Sequence, residues 1–427
     1  MVIMRSVTPL KGMRGSCTVP GDKSISHRAA LLGALSQEGM DISGYAPGED
    51  CGRTLSCLEQ LGCRVLREGC RVHVCRGEGI RESQEVLYAG NSGTSARLLC
   101  GLLAGVPGFF GIIAGDASLS SRPMERVVAP LRSAGARIDG REGGNRLPLC
   151  IRGASLTGGT FTLSVASAQV KTALLLAGLS SQGSVTVVEP SPSRDHTERM
   201  LGSLGLPLVR EENRITLFPY PELPGATWEV PGDFSSAAFW IVGAALVPDS
   251  ELLLEKVGLN PTRTGLLDVL ERMGLHVGME NLHESGGEPR GNLRVPSTSL
   301  ESTRVTASEV PRMVDELPVL AVAATQARGK TEIRGARELR YKECDRIRGM
   351  AEGLAALGAD IQELEDGWII TGPTPLHGGK VKTLGDHRIA MALSIAALVA
   401  DGPVELDDPE CVNISYPPFF EDLEKFR

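Results

Sequence analysis

The chain has 427 residues, 42% hydrophobic and 22% charged, which suits a globular protein of two or three domains better than a single core. A formal net charge of −8 and only 4% aromatic residues exclude the basic, base-stacking surface of a nucleic-acid binder, so an anionic ligand would need a locally basic cleft. Ten cysteines without a Cys-x-x-Cys pair argue against zinc and disulfides, no run of about 18 apolar residues offers a membrane span, and the expected setting is the cytoplasm.

The first element is a turn feeding a helix. Val19-Pro20-Gly21-Asp22-Lys23-Ser24 leads into an Ala/Leu-rich run at 28–35, and the phrase returns as Val230-Pro231-Gly232-Asp233-Phe234-Ser235 before the run 237–246. Val, Pro, Gly, Asp and Ser persist, so they are expected to build the turn and cap the helix. Lys23 gives way to Phe234, so the turn itself needs no cation. Similar runs occupy 97–105, 171–179, 317–324 and 388–398, a spacing of roughly 65–80 residues and six copies in all.

Each run is apolar nearly all round, which predicts a helix buried on most faces. Alternating stretches such as Ser184–Val188 and Lys330–Arg334 predict strands. A second helix then ends at a glycine, as in Leu61-Gly62, Ala134-Gly135, Leu204-Gly205, Met273-Gly274 and Leu357-Gly358, the expected left-handed stop, and a strand such as 63–66 follows. The predicted module is helix, strand, helix, strand, of α/β class. Three modules before and three after the second phrase imply two equivalent domains, 20–231 and 1–19 with 232–427, and the two phrases are the crossovers.

Polar residues gather where the buried helices start. Lys23, Ser24 and Arg28 follow Gly21, and a helix N-terminus beside a glycine offers N–H groups to an anion. The Gly-x-x-x-x-Gly-Lys spacing of a P-loop is absent, and the plain alternative is N-capping by Ser24 with solvated cations. Asn91-Ser92-Gly93-Thr94 with Arg97 is a second polar start that a simple cap also explains. Arg122 precedes Pro123, read as opening a helix. Ser167, Ala168, Gln169 and Lys171 open the third run. Arg194 precedes Asp195 and Glu198, which resemble a capping box, and His196 beside them is read as structural.

In the second half, Asp315 and Glu316 stand at the positive end of a helix. The stretch 340–346 reads as a charge-laced helix face, and Asp386-His387-Arg388 opens the last run. If helix starts of both domains face one cleft, an acidic protein gains a site for a small polyanion. Asp315 and Glu343 are then rare carboxylates among cations, suited to proton transfer.

Taken in order, Gly-Asp-Lys-Ser at 21–24, Asn-Ser-Gly-Thr at 91–94, Ser-Arg-Pro-Met at 121–124, Ser-Ala-Gln-Val-Lys at 167–171, Arg-Asp-His-Thr-Glu at 194–198, Asn-Pro-Thr-Arg at 260–263, Lys-Glu-Cys-Asp-Arg at 342–346 and Gly-Asp-His-Arg at 385–388 make a specific set. With them the chain resembles the 5-enolpyruvylshikimate-3-phosphate (EPSP) synthase family over essentially its whole length. The resemblance implies two inside-out α/β barrel domains of three modules each, joined by a double crossover hinge that lets ligand close the cleft. It implies transfer of the enolpyruvyl group of phosphoenolpyruvate to the 5-hydroxyl of shikimate 3-phosphate, with release of phosphate, in the shikimate route to chorismate and aromatic amino acids. No metal or organic cofactor is implied, and a monomer is the expected state.

Carried over by resemblance, Lys23, Ser24, Arg28, Ser167, Gln169, Arg194, Asp315 and Lys342 hold shikimate 3-phosphate, with Ala168 contributing backbone. The N-terminal domain is thus its side. Lys23, Gly93, Arg122, Gln169, Arg346 and Arg388 hold phosphoenolpyruvate, with His387 nearby and the C-terminal domain as its side. Arginine forks match carboxylate and phosphate oxygens. Asp315 would take the hydroxyl proton, Glu343 would protonate the methylene carbon, and Lys23 would assist charge movement.

The lysine that some members carry in the C-terminal segment is missing from 411–416. Several motif variants are similar to the class II branch, often less sensitive to glyphosate, although Gly93 is not enlarged. A sister transferase acting on UDP-N-acetylglucosamine would be favoured by a Lys-Asn pair where this chain has Lys23-Ser24. A non-catalytic phosphometabolite-binding protein would leave Asp315 and Glu343 without a task.

Overall fold

The computed structural model describes residues 4–426. Their strands form six sheets, and the chain divides into two compact units with three sheets each. One unit is Gly21–Val230 with Glu284–Glu288; the other takes the chain through Pro20, then Pro231–His283 and Pro289–Arg427. The chain changes unit inside each copy of the repeated phrase. A further excursion, 284–288, takes in the end of strand Gly278–Ser285, the turn and the first residue of strand Glu288–Pro296, and has no counterpart in the sequence pattern.

The α/β class is as expected, but the module is richer than helix, strand, helix, strand. The first runs from helix Lys23–Gly33 through strand Met40–Ser43 and helix Glu49–Gln60 to a hairpin of Arg64–Glu68 and Arg71–Cys75. The returning strand Arg71–Cys75 pairs antiparallel with both Arg64–Glu68 and Met40–Ser43, which lies parallel to Ala226–Glu229. The same order recurs for Leu87–Tyr88, Phe110–Ala114, Arg146–Arg152 and Arg137–Gly140, and for Gly159–Thr162, Val185–Val188, Arg214–Leu217 and Leu208–Glu211. A lone strand after the glycine could not cover the helices. The hairpin's second strand supplies the alternating buried face, Val72 and Val74 in the first module. In the other unit the sixth sheet has three strands, and Arg5–Val7 pairs with Val404–Leu406 to complete it.

The predicted helix stops are glycines with left-handed backbone, φ 92° at Gly62 and 91° at Gly358. The Ala-rich helices are buried almost throughout, every residue of Ala168–Leu179 from Val170 onward and every residue of Phe234–Leu246 up to Ala245. Small residues are required where they meet. A Cβ on Gly101 would lie 2.1 Å from the Ala173 carbonyl oxygen, so helices Gly93–Ala104 and Ala168–Leu179 touch backbone to backbone.

Both copies of the repeated phrase are capped by aspartate. Asp22 Oδ1 accepts from Ile25 N at 2.9 Å and Asp233 Oδ1 from Ser235 N at 2.7 Å. Ser24 is therefore inside the helix and not its cap. Gly21 is fixed by space, since a Cβ there would sit 1.7 Å from the Gly44 carbonyl oxygen.

Candidate functional site

In the Gly21–Val230 unit, the polar residues singled out by sequence occupy three helix starts. Lys23 is the first residue of its helix, and its Nζ lies 3.0 Å from Asp50 Oδ2. Gly93 opens helix Gly93–Ala104 behind the cap Ser92. Ala168 opens Ala168–Leu179 behind the cap Ser167, whose hydroxyl accepts from Val170 N at 3.4 Å. Gln169 is held at both ends of its amide: Oε1 accepts from Arg97 Nη1 at 2.8 Å and Nε2 donates to Thr94 Oγ1 at 3.0 Å. Arg97 Nη2 also reaches the Pro123 carbonyl at 3.1 Å, so one guanidinium links the Gln169 start to the Arg122 loop. Arg122 is buried and donates to Asn91 Oδ1 at 2.6 Å and Ser118 Oγ at 3.1 Å.

Ser24 lends its carbonyl to Arg28 Nη1 at 2.8 Å. Arg28, only 3% exposed, also donates from Nε to Thr197 Oγ1 at 2.8 Å, and from Nη2 to Thr172 Oγ1 at 2.7 Å and the Ala168 carbonyl at 3.5 Å. Burial pushes its guanidinium down to about 10 against the opposing charges of Glu198 and Asp22, so it stays cationic at neutral pH. Arg28 thus already braces three helices. Arg194, half-buried, lies in the loop just before helix His196–Ser203.

In the other unit a second group assembles around Asp315. Its Oδ1 lies 3.5 Å from Arg346 Nη1 and 3.9 Å from Lys342 Nζ, its Oδ2 lies 3.7 Å from Arg388 Nη2, and its carbonyl accepts from Arg388 Nη1 at 3.2 Å. Glu343 shares Arg346, with Oε2 2.5 Å from Nη2. Arg346 is 1% exposed and donates from Nε to Asp386 Oδ2 at 2.8 Å. Burial alone would lower its pKa, but Asp386, Glu343 and Asp315 outweigh that and hold it well above the ordinary arginine value. Asp386 caps helix His387–Ala397 through Arg388 N and Ile389 N, which places buried His387 and Arg388 at that helix start.

Three local readings are corrected. Asp195 and Glu198 form no capping box: Asp195 accepts from Arg199 Nε and Arg210 Nη2, both at 2.9 Å, while Glu198 lies against Lys171. Nearby cations outcompete the backbone N–H groups for both carboxylates. Pro123 does not open its helix, which begins at Glu125. The charges of 340–346 do not share a helix face, because a short 3₁₀ turn ends at Tyr341 and Arg346 starts the next helix. Arg263 of the Asn-Pro-Thr-Arg motif is a buried brace for the second phrase, with Nη2 2.7 Å from Ser235 Oγ and 3.3 Å from Asp233 Oδ1. His196 is structural as read, its Nδ1 2.8 Å from Glu288 Oε1 in the same unit.

Sequence reasoning passed over Asp50, Asp386 and the reach of Arg97. Asp50 looks like an ordinary acid in a helix first turn, and Asp386 like an ordinary cap, so nothing local marks their cationic partners. Buried His27 was also missed. Its Nδ1 lies 2.7 Å from Thr54 Oγ1, which is 2.7 Å from Ser95 Oγ, itself 2.8 Å from Ser92 Oγ, so a hydroxyl chain ties three helices behind Lys23 and Gly93. Burial, then Lys23 and Arg28, drive the imidazole well below its usual 6.5, leaving it neutral.

A hollow of about 490 Å³ lined by Arg126, Pro130, Phe161 and Val170 includes none of the residues assigned to substrate. Among the described residues no group of three or more His, Cys, Asp or Glu is placed to hold a metal ion, and no helix is long and apolar enough to cross a membrane.

Comparison with known proteins accounts for nearly the whole chain. Residues 7–423 match the family described as EPSP synthase (3-phosphoshikimate 1-carboxyvinyltransferase). The chain is 47% identical over 424 residues to a 3-phosphoshikimate 1-carboxyvinyltransferase of Bacillus thuringiensis subsp. konkukian (strain 97-27), covering 99% of each. It is 49% identical over 418 residues to that of Shouchella clausii (strain KSM-K16), covering 97% of each. A solved EPSP synthase from Acinetobacter baumannii superposes with a TM-score of 0.88 at 41% identity, covering 99% of this chain and 98% of that one.

Proposed function

The chain belongs to the EPSP synthase family, and from that premise we infer that it moves the enolpyruvyl group of phosphoenolpyruvate to the 5-hydroxyl of shikimate 3-phosphate and releases phosphate, on the route to chorismate and the aromatic amino acids. The observation that carries the roles below is Asp315 among Arg346, Lys342 and Arg388, with Glu343 sharing Arg346. Two carboxylates beside three cations suit a reaction that moves protons between two polyanionic substrates.

In this reading Lys23, Ser24, Arg28, Ser167, Gln169 and Arg194, with the Ala168 backbone, hold shikimate 3-phosphate, and Lys342 and Asp315 complete its contacts. Arg122, Arg346 and Arg388 grip phosphoenolpyruvate with Gly93 and Gln169, and His387 lies close by. Gly93 suits that task because a side chain there would crowd Arg97 Nη1, 2.7 Å from the Cβ position. The 5-hydroxyl oxygen bonds to C2 of phosphoenolpyruvate as its proton passes to Asp315, and Glu343 gives a proton to C3. The tetrahedral adduct then returns a C3 proton to the Glu343 carboxylate as the bond from C2 to the phosphate oxygen breaks, restoring the double bond, and the departing phosphate takes up the proton held by Asp315. Lys23 steadies the departing phosphate.

Every step is proton transfer or C–O exchange between the substrates themselves. The enzyme is taken to work in the cytoplasm as a monomer. The deciding experiment is phosphate release from phosphoenolpyruvate with shikimate 3-phosphate or with UDP-N-acetylglucosamine as acceptor. Release with the first alone supports the reading, and release with the second alone replaces it.

A further inference from the structure

The helix that carries Ala168 and Gln169 contains a lysine where its Ala/Leu pattern calls for an apolar residue. Lys171 is 1% exposed, and its Nζ lies 2.7 Å from Glu189 Oε2, 2.7 Å from Glu198 Oε1 and 3.5 Å from the Ser193 carbonyl. Both glutamates are 2% exposed. The Glu189 contact is a directed hydrogen bond, the Glu198 contact an ion pair. The second oxygen of Glu189 accepts from the Ser193 hydroxyl, and the Glu189 backbone is fixed to Asn213 through N to O at 2.9 Å and O to Nδ2 at 2.6 Å. Burying three charges is costly, and replacing such a group by apolar side chains is often neutral for stability. A stability role alone does not call for this arrangement.

The geometry points to a different role. Ser193 immediately precedes Arg194, so Lys171 and Glu189 clamp the loop that carries Arg194 from both its carbonyl and its hydroxyl side. One residue further along, Thr172 Oγ1 is 2.6 Å from Thr197 Oγ1, and both hydroxyls receive the Arg28 guanidinium. Helices Ala168–Leu179 and His196–Ser203 are therefore joined by two adjacent rungs, Lys171–Glu198 and Thr172–Thr197, and Arg28 is seated on the second. Glu198 also pulls electrostatically on Arg28. One ammonium thus fixes the spacing of the elements bearing Gln169, Arg194 and the seat of Arg28.

We propose that Lys171 is a positioning residue for shikimate 3-phosphate, holding the Arg194 loop and the Arg28 seat in register with Gln169 through Glu189 and Glu198. The proposal rests on the function inferred above. It predicts a selective loss in handling one substrate. Lys171→Met/Glu189→Met removes the ammonium and one carboxylate with side chains of similar length and leaves Glu198 as the one buried charge of the three. In the folded variant, KM and the calorimetric Kd for shikimate 3-phosphate are expected to rise about tenfold or more, while kcat and KM for phosphoenolpyruvate change much less.

A folded double variant whose shikimate 3-phosphate constants match the wild type overturns the proposal, even if its Tm has fallen. So does a variant in which kcat alone drops or both KM values rise together. Should the double variant not fold, Glu189→Gln, which keeps the residue's size and one accepting oxygen but loses its charge and its second acceptor, is read by the same criteria. Wild-type turnover in the same assay separates the two levels of inference: an inactive wild type sinks the assigned function, and an active wild type with unaffected variants sinks only the role of Lys171.

Discussion

Glu343→Gln isolates proton delivery from substrate binding. Glu343 Oε2 lies 2.5 Å from Arg346 Nη2, and glutamine retains a carbonyl oxygen that can accept from the same N–H. Arg346 keeps its 2.8 Å bond to Asp386 and the nearby Asp315 carboxylate, so the guanidinium should hold its place. What disappears is an acidic proton that can be handed to the methylene carbon. Loss of one positioned acid–base group costs about 10²–10⁴ in rate, which is roughly 3–5 kcal/mol of barrier. Steady-state kinetics with both substrates varied should show kcat reduced by that factor, both KM values within a few-fold, and a Tm near the wild type. A variant that turns over within tenfold of the wild type removes Glu343 from the proton step. A variant with intact kcat and a large rise in KM for phosphoenolpyruvate would make Glu343 a holder of Arg346 instead.

Gly93→Ala places a methyl 2.7 Å from Arg97 Nη1, so that guanidinium must give way, while Arg122 Nη1 at 3.5 Å comes only into van der Waals contact. KM for phosphoenolpyruvate should rise by about tenfold or more with a smaller change in kcat, and an unchanged KM would show that Arg97 is not needed in its present place. His27 gives a pH prediction. Its folded pKa lies below the unfolded 6.5, so the unfolded chain takes up a proton first on acidification. The stability linked to His27 is therefore complete above about pH 6.5 and falls below it, by at most about 1.4 kcal/mol per pH unit until the folded pKa is reached. Urea unfolding at pH 7.5 and 5.5 should show a loss that His27→Asn reduces, and equal losses in wild type and variant contradict the assignment.

The six modules were legible because burial of a whole helix leaves an unbroken Ala/Leu run, and because a left-handed stop leaves a glycine such as Gly62 or Gly358. The capped turn was legible because the phrase is duplicated, but the cap is Asp22 and not Ser24, since both residues persist in the two copies and the sequence does not tell them apart. Contacts set by distant parts of the chain left no local mark. Asp195 and Glu198 have the spacing of a capping box, yet their partners are Arg199, Arg210 and Lys171, of which only Arg199 is a near neighbour in sequence. Arg28 stood out as a cation, but its seat on Thr172 and Thr197 required the packing of three helices. The stretch 284–288 was unreadable for the same reason. Its Glu288 makes sense only beside the buried His196 ring.

The most direct test of the account is the acceptor requirement for phosphate release by the purified protein. With phosphoenolpyruvate and shikimate 3-phosphate together, equal amounts of phosphate and an enolpyruvyl ether at the 5-oxygen are expected, with no release when either substrate is omitted. Phosphate release that ignores shikimate 3-phosphate, or no turnover from a folded protein given both, would contradict it.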